Sequence, residues 1–135
     1  MYLGMQDQYY TFSMFDAQAW YARDAILGRI KLPGESDMRA DVETWQRREE
    51  ALEDPIQDID FQTDYCKDLS EKVDYSLDWD LAAENFKHWE HHKEESIVGY
   101  RNHSHPSPVT GTQAPIHHTS WWEAMDDSTE SFLGS

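Results

Sequence analysis

Residues 1–24 read MYLGMQDQYYTFSMFDAQAWYARD. This pattern predicts the end of a buried strand, a turn rich in amides and aromatics, and a helix capped by Asp16. Several alanines favour the helix, and Gly28 fits its C-terminal stop. A strand, a polar loop and a helix N-terminus together can hold an anionic or electron-rich group. The strand has nothing before it to pair with, so we expect the chain to be the back part of a larger enzyme.

The composition is strongly acidic, with 27 acidic against 11 basic residues and a formal net charge of −16. This charge opposes binding to a phosphate backbone or an anionic membrane, so we expect neither nucleic acid nor membrane as a partner. No apolar run approaches the roughly 18–20 residues that a membrane span needs. Cys66 is the single cysteine, which excludes an intrachain disulfide and favours a cytoplasmic location.

Beyond a break at Pro33-Gly34, the sequence predicts three amphipathic helices. The first begins near Ser36, the second at Pro55, and the third runs from about Asp78 to Gly99. Apolar residues recur along each helix at three- and four-residue spacing. In chain order they are Met38, Val42, Trp45 and Leu52; Ile56, Ile59, Cys66, Leu69 and Val73; and Leu81, Phe86, Trp89, Ile97 and Tyr100.

The last part of the chain predicts a loop followed by a short helix. Residues 101–119 hold prolines, a glycine and several Ser and Thr, which is typical of irregular structure. Ser120 and Glu123 have capping-box spacing, which predicts a final helix. The predicted fold class is therefore mainly α, with a strand–loop–helix remnant over residues 1–34 and a helical region over residues 35–135.

Seven histidines raise the question of a metal site. His88 and His92 are four residues apart on the third predicted helix, and further histidines follow. Zinc sites need a defined set of three or four ligands, and the chain has no HExxH or paired CxxC motif, so we predict no metal. No nucleophile-elbow motif surrounds any Ser or Cys66, which argues against a hydrolase.

The chain resembles the flavin-containing monooxygenase family, in particular its bacterial trimethylamine-oxidising members. Besides the opening stretch, the resemblance rests on four blocks and is weakest from Pro33 to Ser76. The blocks are FKHWEHHK at 86–93, YRNHS at 100–104, TGTQAPIHHT at 110–119 and AMDDS at 124–128. It implies that residues 1–34 are the C-terminal remnant of an α/β FAD-binding domain, in a parent with two dinucleotide-binding domains. This chain has neither Gly-rich fingerprint for FAD or NADPH, so we expect both upstream.

The resemblance also implies a flavin seat at the first turn. A flavin becomes electron-rich at its pyrimidine edge when reduced, and a helix N-terminus stabilises that charge. Gln8 and Thr11 match family positions that resemble flavin contacts, with Tyr10 and Phe12 as apolar walls. Asp7 matches a carboxylate close to the substrate and is the predicted catalytic residue. On the residues alone, an ordinary strand-to-helix connection stays open.

Trp89 is the remaining predicted cofactor-binding residue. Its place on the apolar stripe is more typical of a core side chain, but the resemblance puts it near the nicotinamide and the substrate. An aromatic face also attracts a trimethylammonium-like group by about 0.5–2 kcal/mol. Tyr9 stands where relatives often have Trp, which leaves its role in shaping the pocket open.

The implied activity is FAD-, NADPH- and O₂-dependent oxygenation of a small tertiary amine, with trimethylamine converted to its N-oxide. The resemblance implies that a separate N-terminal part binds most of both cofactors and that the full-length enzyme is a homodimer. We expect the isolated chain to be inactive, since it lacks both fingerprints. The alternatives are a stand-alone acidic helical interaction module, a split subunit that completes a separate FAD/NADPH half, and a remnant of a truncated gene.

Overall fold

A computed structural model of the chain describes residues 8–116, which form four α-helices and one 3₁₀ helix. The helices are α1 (Thr11–Ile26), α2 (Glu35–Glu50), α3 (Pro55–Ser70) and α4 (Trp79–Glu95), followed by the 3₁₀ helix Tyr100–Asn102. Within these residues the only β pairing is an isolated antiparallel bridge between Pro106 and Gln113. The mainly helical fold class is confirmed. The predicted N-terminal strand, Asp7 and the final helix at Ser120 lie outside the described residues.

The central helix is α3, which packs against α1 on one side and α4 on the other. Its fully buried side chains include Ile59, Gln62 and Cys66. The neighbouring elements complete the core with small or aromatic residues, namely Tyr10, Met14, Ala17, Trp79, Ala82 and Ala83. Residues from both predicted parts of the chain therefore share one hydrophobic core. None of the helices in residues 8–116 is long and apolar enough to cross a membrane.

The starts of α3 and α4 agree with the sequence-based predictions. Pro55 occupies the first turn of α3, and the Asp54 carboxylate accepts a hydrogen bond from the Gln57 N–H at 2.8 Å. The Asp78 carboxylate caps α4 in the same way, accepting from the Leu81 N–H at 3.0 Å. Both helices thus begin where a side chain satisfies a free amide.

The predicted cap of α1 at Asp16 is wrong. The helix begins at Thr11, Tyr10 is the N-cap residue, and Asp16 is an exposed residue inside the helix. The Met14 N–H already donates to the Tyr10 carbonyl at 2.8 Å. Burial of Tyr10 starts the helix early, and packing overrides the local preference of aspartate for a cap. The predicted stop is confirmed, since Gly28 follows the helix with a φ of 69°.

The predicted third helix ends earlier than its apolar pattern indicates. Ser96 leaves the helix with extended backbone angles, and its hydroxyl accepts from the Gly99 N–H at 3.0 Å. Ile97 is 69% exposed, whereas Tyr100 is buried after the turn and meets the Trp89 ring edge-on at 5.2 Å. Tyr100 therefore packs against the apolar face of α4 because the chain turns back after Ser96, and not because the helix continues to Tyr100.

Helix α2 lies apart from the core. It has no buried residue, and Met38 and Val42 on its apolar stripe are 42% and 53% exposed. Trp45 is its one half-buried residue, and it meets Phe61 and Tyr65 of α3 edge-on at 5.4 and 5.6 Å. The helix thus covers an apolar cavity of about 720 Å³ instead of filling it.

Two methionines test this account of which helices form the core. Met14 has no exposed surface, so Met14→Ala should lower the free energy of unfolding by about 2–5 kcal/mol. Met38→Ala, at a partly exposed site on α2, should cost less than about 1 kcal/mol. Urea unfolding followed by circular dichroism measures both values. Equal losses for the two variants would contradict the packing described here.

Candidate functional site

Residues 8–13 form the entry to α1, and residues 9–13 of this segment border a cavity of about 410 Å³. The cavity wall is mainly aromatic and apolar on the α4 side. It includes Tyr9, Tyr10, Thr11, Leu77, Phe86 and Pro108. Two of the predicted cofactor-binding residues, Tyr10 and Thr11, therefore lie at this cavity.

Two hydrogen bonds fix the entry segment on α3. The Tyr9 N–H donates to Gln62 Oε1 at 2.9 Å, and the Tyr10 hydroxyl bonds Thr63 Oγ1 at 2.6 Å. The Thr63 hydroxyl donates its single proton to the Ile59 carbonyl at 2.6 Å, so Tyr10 is the donor to Thr63. Gln62 Nε2 donates to Asp58 at 3.0 Å, which orients the amide toward Tyr9.

Tyr10 is a buried anchor as well as a wall of the cavity. Its ring meets Trp79 and Phe86 of α4 edge-on, with centroids 5.7 and 4.9 Å apart. Burial is the main cause that raises the pKa of Tyr10 to about 12, so its hydroxyl stays a neutral donor over the physiological range. Its predicted contact with a cofactor stays a prediction.

The N-terminus of α1 has no side-chain cap within residues 8–116. Its first turn also contains no acidic residue. Since a capping side chain typically contributes about 0.5–2 kcal/mol, an uncapped end leaves amide donors and the positive end of the helix dipole to be satisfied otherwise. Thr11, the first helical residue, is exposed there, and Phe12 is 83% exposed.

Gln8 adds an unsatisfied acceptor close in sequence to this helix end. Its Oε1 atom is buried and has no hydrogen-bond partner among residues 8–116. A buried polar atom without a partner costs about 1–3 kcal/mol, and native structures rarely keep one without a reason. Of the predicted flavin contacts, Gln8 and Thr11 therefore offer free hydrogen-bonding capacity, while Asp7 lies outside the described residues.

Trp89 does not line the cavity, although the sequence placed it with the other site residues. It is half-buried in α4, packs against Tyr100, and has the Lys93 ammonium 4.5 Å from its ring centroid. Lys93 also pairs with Glu90 at 2.7 Å. The Trp89 ring thus already makes a cation–π contact with a lysine of this chain.

Sequence reasoning missed the polar residues that hold the site in place. Gln62 and Thr63 are both buried in α3, three and four residues after Ile59. That spacing puts them on the apolar face of the helix, where polar side chains are unusual. The same spacing could have identified them as buried hydrogen-bonding partners.

In residues 8–116 no group of three or more His, Cys, Asp or Glu side chains is arranged to hold a metal ion.

Comparison with known proteins finds close relatives, although no family model matches the chain. The trimethylamine monooxygenase of Pelagibacter ubique strain HTCC1002 is 58% identical over 134 residues, and that of Methylocella silvestris is 56% identical over 133. Each alignment covers 98% of this chain and 30% of the relative. The crystal structure of Tmm from Pelagibacter sp. strain HTCC7211 matches with a TM-score of 0.88 and 55% identity, again over 98% and 30%. The chain thus spans about a third of the length of these relatives.

Alkaline titration tests the environment of Tyr10. Because the pKa of Tyr10 is about 12 in the folded chain and ordinarily about 10, the folded state is stabilised below pH 10 and loses this advantage as the pH rises toward 12. The loss should reach at most about 2–3 kcal/mol. Urea unfolding at pH 9 and pH 11 should therefore show a smaller loss of stability for Tyr10→Phe than for the unchanged chain. An equal loss in both would contradict the buried hydroxyl.

Proposed function

We propose that this chain, which is homologous to the C-terminal 30% of trimethylamine monooxygenases, forms one wall of the flavin site in an enzyme of that kind. The proposed reaction is the N-oxygenation of small tertiary amines, first of all trimethylamine, with FAD, NADPH and O₂. The observation that carries the proposal is the uncapped N-terminus of α1 next to the unpartnered Gln8 oxygen. A bound isoalloxazine ring carries partners of both kinds, namely oxygen and nitrogen acceptors for the helix-end amides and a ring N–H donor for the Gln8 oxygen.

The residues at the entry to α1 fit a flavin in their chemistry. Gln8 offers an acceptor, Thr11 offers a hydroxyl, and the helix end offers amide donors and a positive potential. Tyr10 adds an apolar ring that α3 and α4 hold rigidly. Bound FAD would supply the redox chemistry, with NADPH as the reductant and O₂ as the oxidant, so that one oxygen atom would go to the amine and the other would leave as water. The chain's own contribution is to orient the ring and exclude water.

Asp7 is the proposed catalytic residue of this segment. It directly precedes Gln8 in the sequence. A carboxylate beside an amine favours the protonated amine, whereas oxygenation needs the free lone pair. We therefore propose that Asp7 orients the substrate or a neighbouring side chain and does not stabilise the protonated form of the reacting amine.

Trp89 has a proposed contact with the nicotinamide or the substrate, although the Lys93 ammonium already lies 4.5 Å from its ring centroid. The two dinucleotide fingerprints belong to the proposed N-terminal partner region, and a homodimer is the proposed assembly. We also propose that residues 1–34 complete the FAD-binding domain and that residues 35–135 form a helical extension. The shared core of α1, α3 and α4 supports a rigid attachment between these two parts.

Reconstitution with an N-terminal part of a related trimethylamine monooxygenase tests the flavin wall. Gln8→Ala and Thr11→Ala should each weaken FAD retention by about twofold to tenfold, because each removes one hydrogen bond worth about 0.5–1.5 kcal/mol. Flavin absorbance that remains with the protein after gel filtration measures the effect. Thr44→Ala is the matched control, since Thr44 is exposed on α2 and bonds only its own helix at Ala40. Equal retention by all three variants would refute the assignment.

The same reconstituted enzyme tests Asp7. Asp7→Asn should lower kcat/KM for trimethylamine by about tenfold or more, because it removes a charged hydrogen-bonding group worth about 1.5–3 kcal/mol. FAD retention should stay unchanged, which separates this role from that of Gln8. The chain alone should show no trimethylamine-dependent NADPH oxidation. Activity without the N-terminal part, or full activity of Asp7→Asn, would overturn these assignments.

A further inference from the structure

Four histidines form a cluster on the side of α4 that faces the following segment. We call His88, His92, His103 and His105 the histidine cluster. The His92 and His103 rings are stacked, with centroids 3.6 Å apart and planes 2° from parallel. The His105 ring lies 6.4 Å from that of His88 and 6.3 Å from that of His92. Two histidines of one helix therefore meet two histidines of one extended segment.

His105 brings a buried ring nitrogen to the cluster. Its Nε2 atom is buried and has no hydrogen-bond partner in residues 8–116. Burial, followed by the proximity of His92, His88 and His103, lowers the pKa of His105 below its usual value. The carboxylate near the cluster is Glu95, which lies 3.4 Å from His92 and 3.4 Å from His91. Within the described part of the chain, His105 forms no ion pair, so a proton on it would not be neutralised by a carboxylate.

The cluster sits at one end of a segment that closes over α4. We call residues 103–113 the cover segment. Asn85 Nδ2 donates to the Pro106 carbonyl at 2.7 Å, and the Asp78 N–H donates to the Pro108 carbonyl at 2.9 Å. The bridge between Pro106 and Gln113 closes the segment on itself. Pro108 also lines the cavity at the N-terminus of α1.

We propose that the histidine cluster is a pH-sensitive switch, in which neutral His105 holds the cover segment on α4 and protonation of His105 releases it. Release removes Pro108 from the wall of the cavity beside Tyr10 and Thr11. The switch itself stands on the geometry of this chain, whereas its use in controlling access to a flavin site rests on the proposed function. The closed state disfavours a proton on His105, because the Nε2 atom of this ring is buried without a partner in residues 8–116 and the ring is packed among the other histidines of the cluster.

The direction of the pH effect follows from the position of His105. When the segment is released, His105 returns to an ordinary pKa of about 6.5, and it therefore binds a proton more readily than in the closed state. The closed state is fully stable above this value and loses stability as the pH falls below it. Mild acid should therefore open the segment, while the helical core stays intact.

Hydrogen exchange of the full 135-residue chain, without flavin and with a metal chelator, tests the switch. The reporting amides are those of Asp78, Ser107 and Gly111, which donate to Pro108, Thr112 and Ser107. Between pH 8 and pH 5.5 their protection, corrected for intrinsic exchange, should fall by up to about tenfold, which is the limit for one proton taken up one pH unit below the ordinary histidine pKa. Amides of α3 should keep their protection. Unchanged protection of the cover segment across this range would overturn the proposal.

Histidine variants identify the responsible group. His105→Gln keeps a polar side chain without a titrating ring, so the fall in protection should largely disappear. His91→Gln is the matched control, because His91 is an exposed neighbour on α4 that contacts Glu95 and not His105. If His105→Gln loosens the segment at both pH values, His105→Phe, which keeps an aromatic ring without a titrating nitrogen, decides instead: loss of the pH dependence supports the switch, and its retention refutes it. An effect of His91→Gln as large as that of His105→Gln would also refute it. No arm depends on flavin, so the outcome is independent of the proposed enzyme activity.

Discussion

One tyrosine joins three of the four described helices. The Tyr10 ring packs against Trp79 and Phe86 of α4, and its hydroxyl donates to Thr63 of α3, while its carbonyl begins α1. The buried hydroxyl must keep its partner, because an unsatisfied buried donor costs about 1–3 kcal/mol, which is more than the roughly 0.5–1.5 kcal/mol that a hydrogen bond contributes. The position of Tyr10 therefore fixes both where α1 starts and how its first turn faces α4.

The candidate site follows from this constraint. Because Tyr10 points inward, Thr11 begins the helix at the surface, and Gln8 lies just before it. The rigid support lies on the α3 side, through Gln62 and Thr63, whereas the hydrogen-bonding groups on the other side lack partners within residues 8–116. This division between a satisfied inner layer and an unsatisfied outer layer is what a binding site requires from its scaffold.

The sequence predicted the parts of the fold that local chemistry controls. Pro55 and Asp78 marked two helix starts correctly, because the preferences of a first-turn proline and of a capping aspartate are short-range effects. The start of α1 and the end of α4 were misplaced because Tyr10 and Tyr100 are buried by distant residues, which no local pattern records. The resemblance, and not a local pattern, placed Trp89 near the nicotinamide and the substrate; in the structure its ring packs against Tyr100 and lies near the Lys93 ammonium, and the predicted contact stays a prediction.

The loose attachment of α2 has a consequence for how the molecule unfolds. A helix without a buried side chain adds little to the cooperative unit formed by α1, α3 and α4. Unfolding of α2 alone exposes mainly the Trp45 contacts with Phe61 and Tyr65. The free energy of this local unfolding should therefore be far below the free energy of global unfolding. Substitutions on α2 should accordingly accumulate at little cost to the core, which makes this helix the part of the molecule that evolution can remodel most freely.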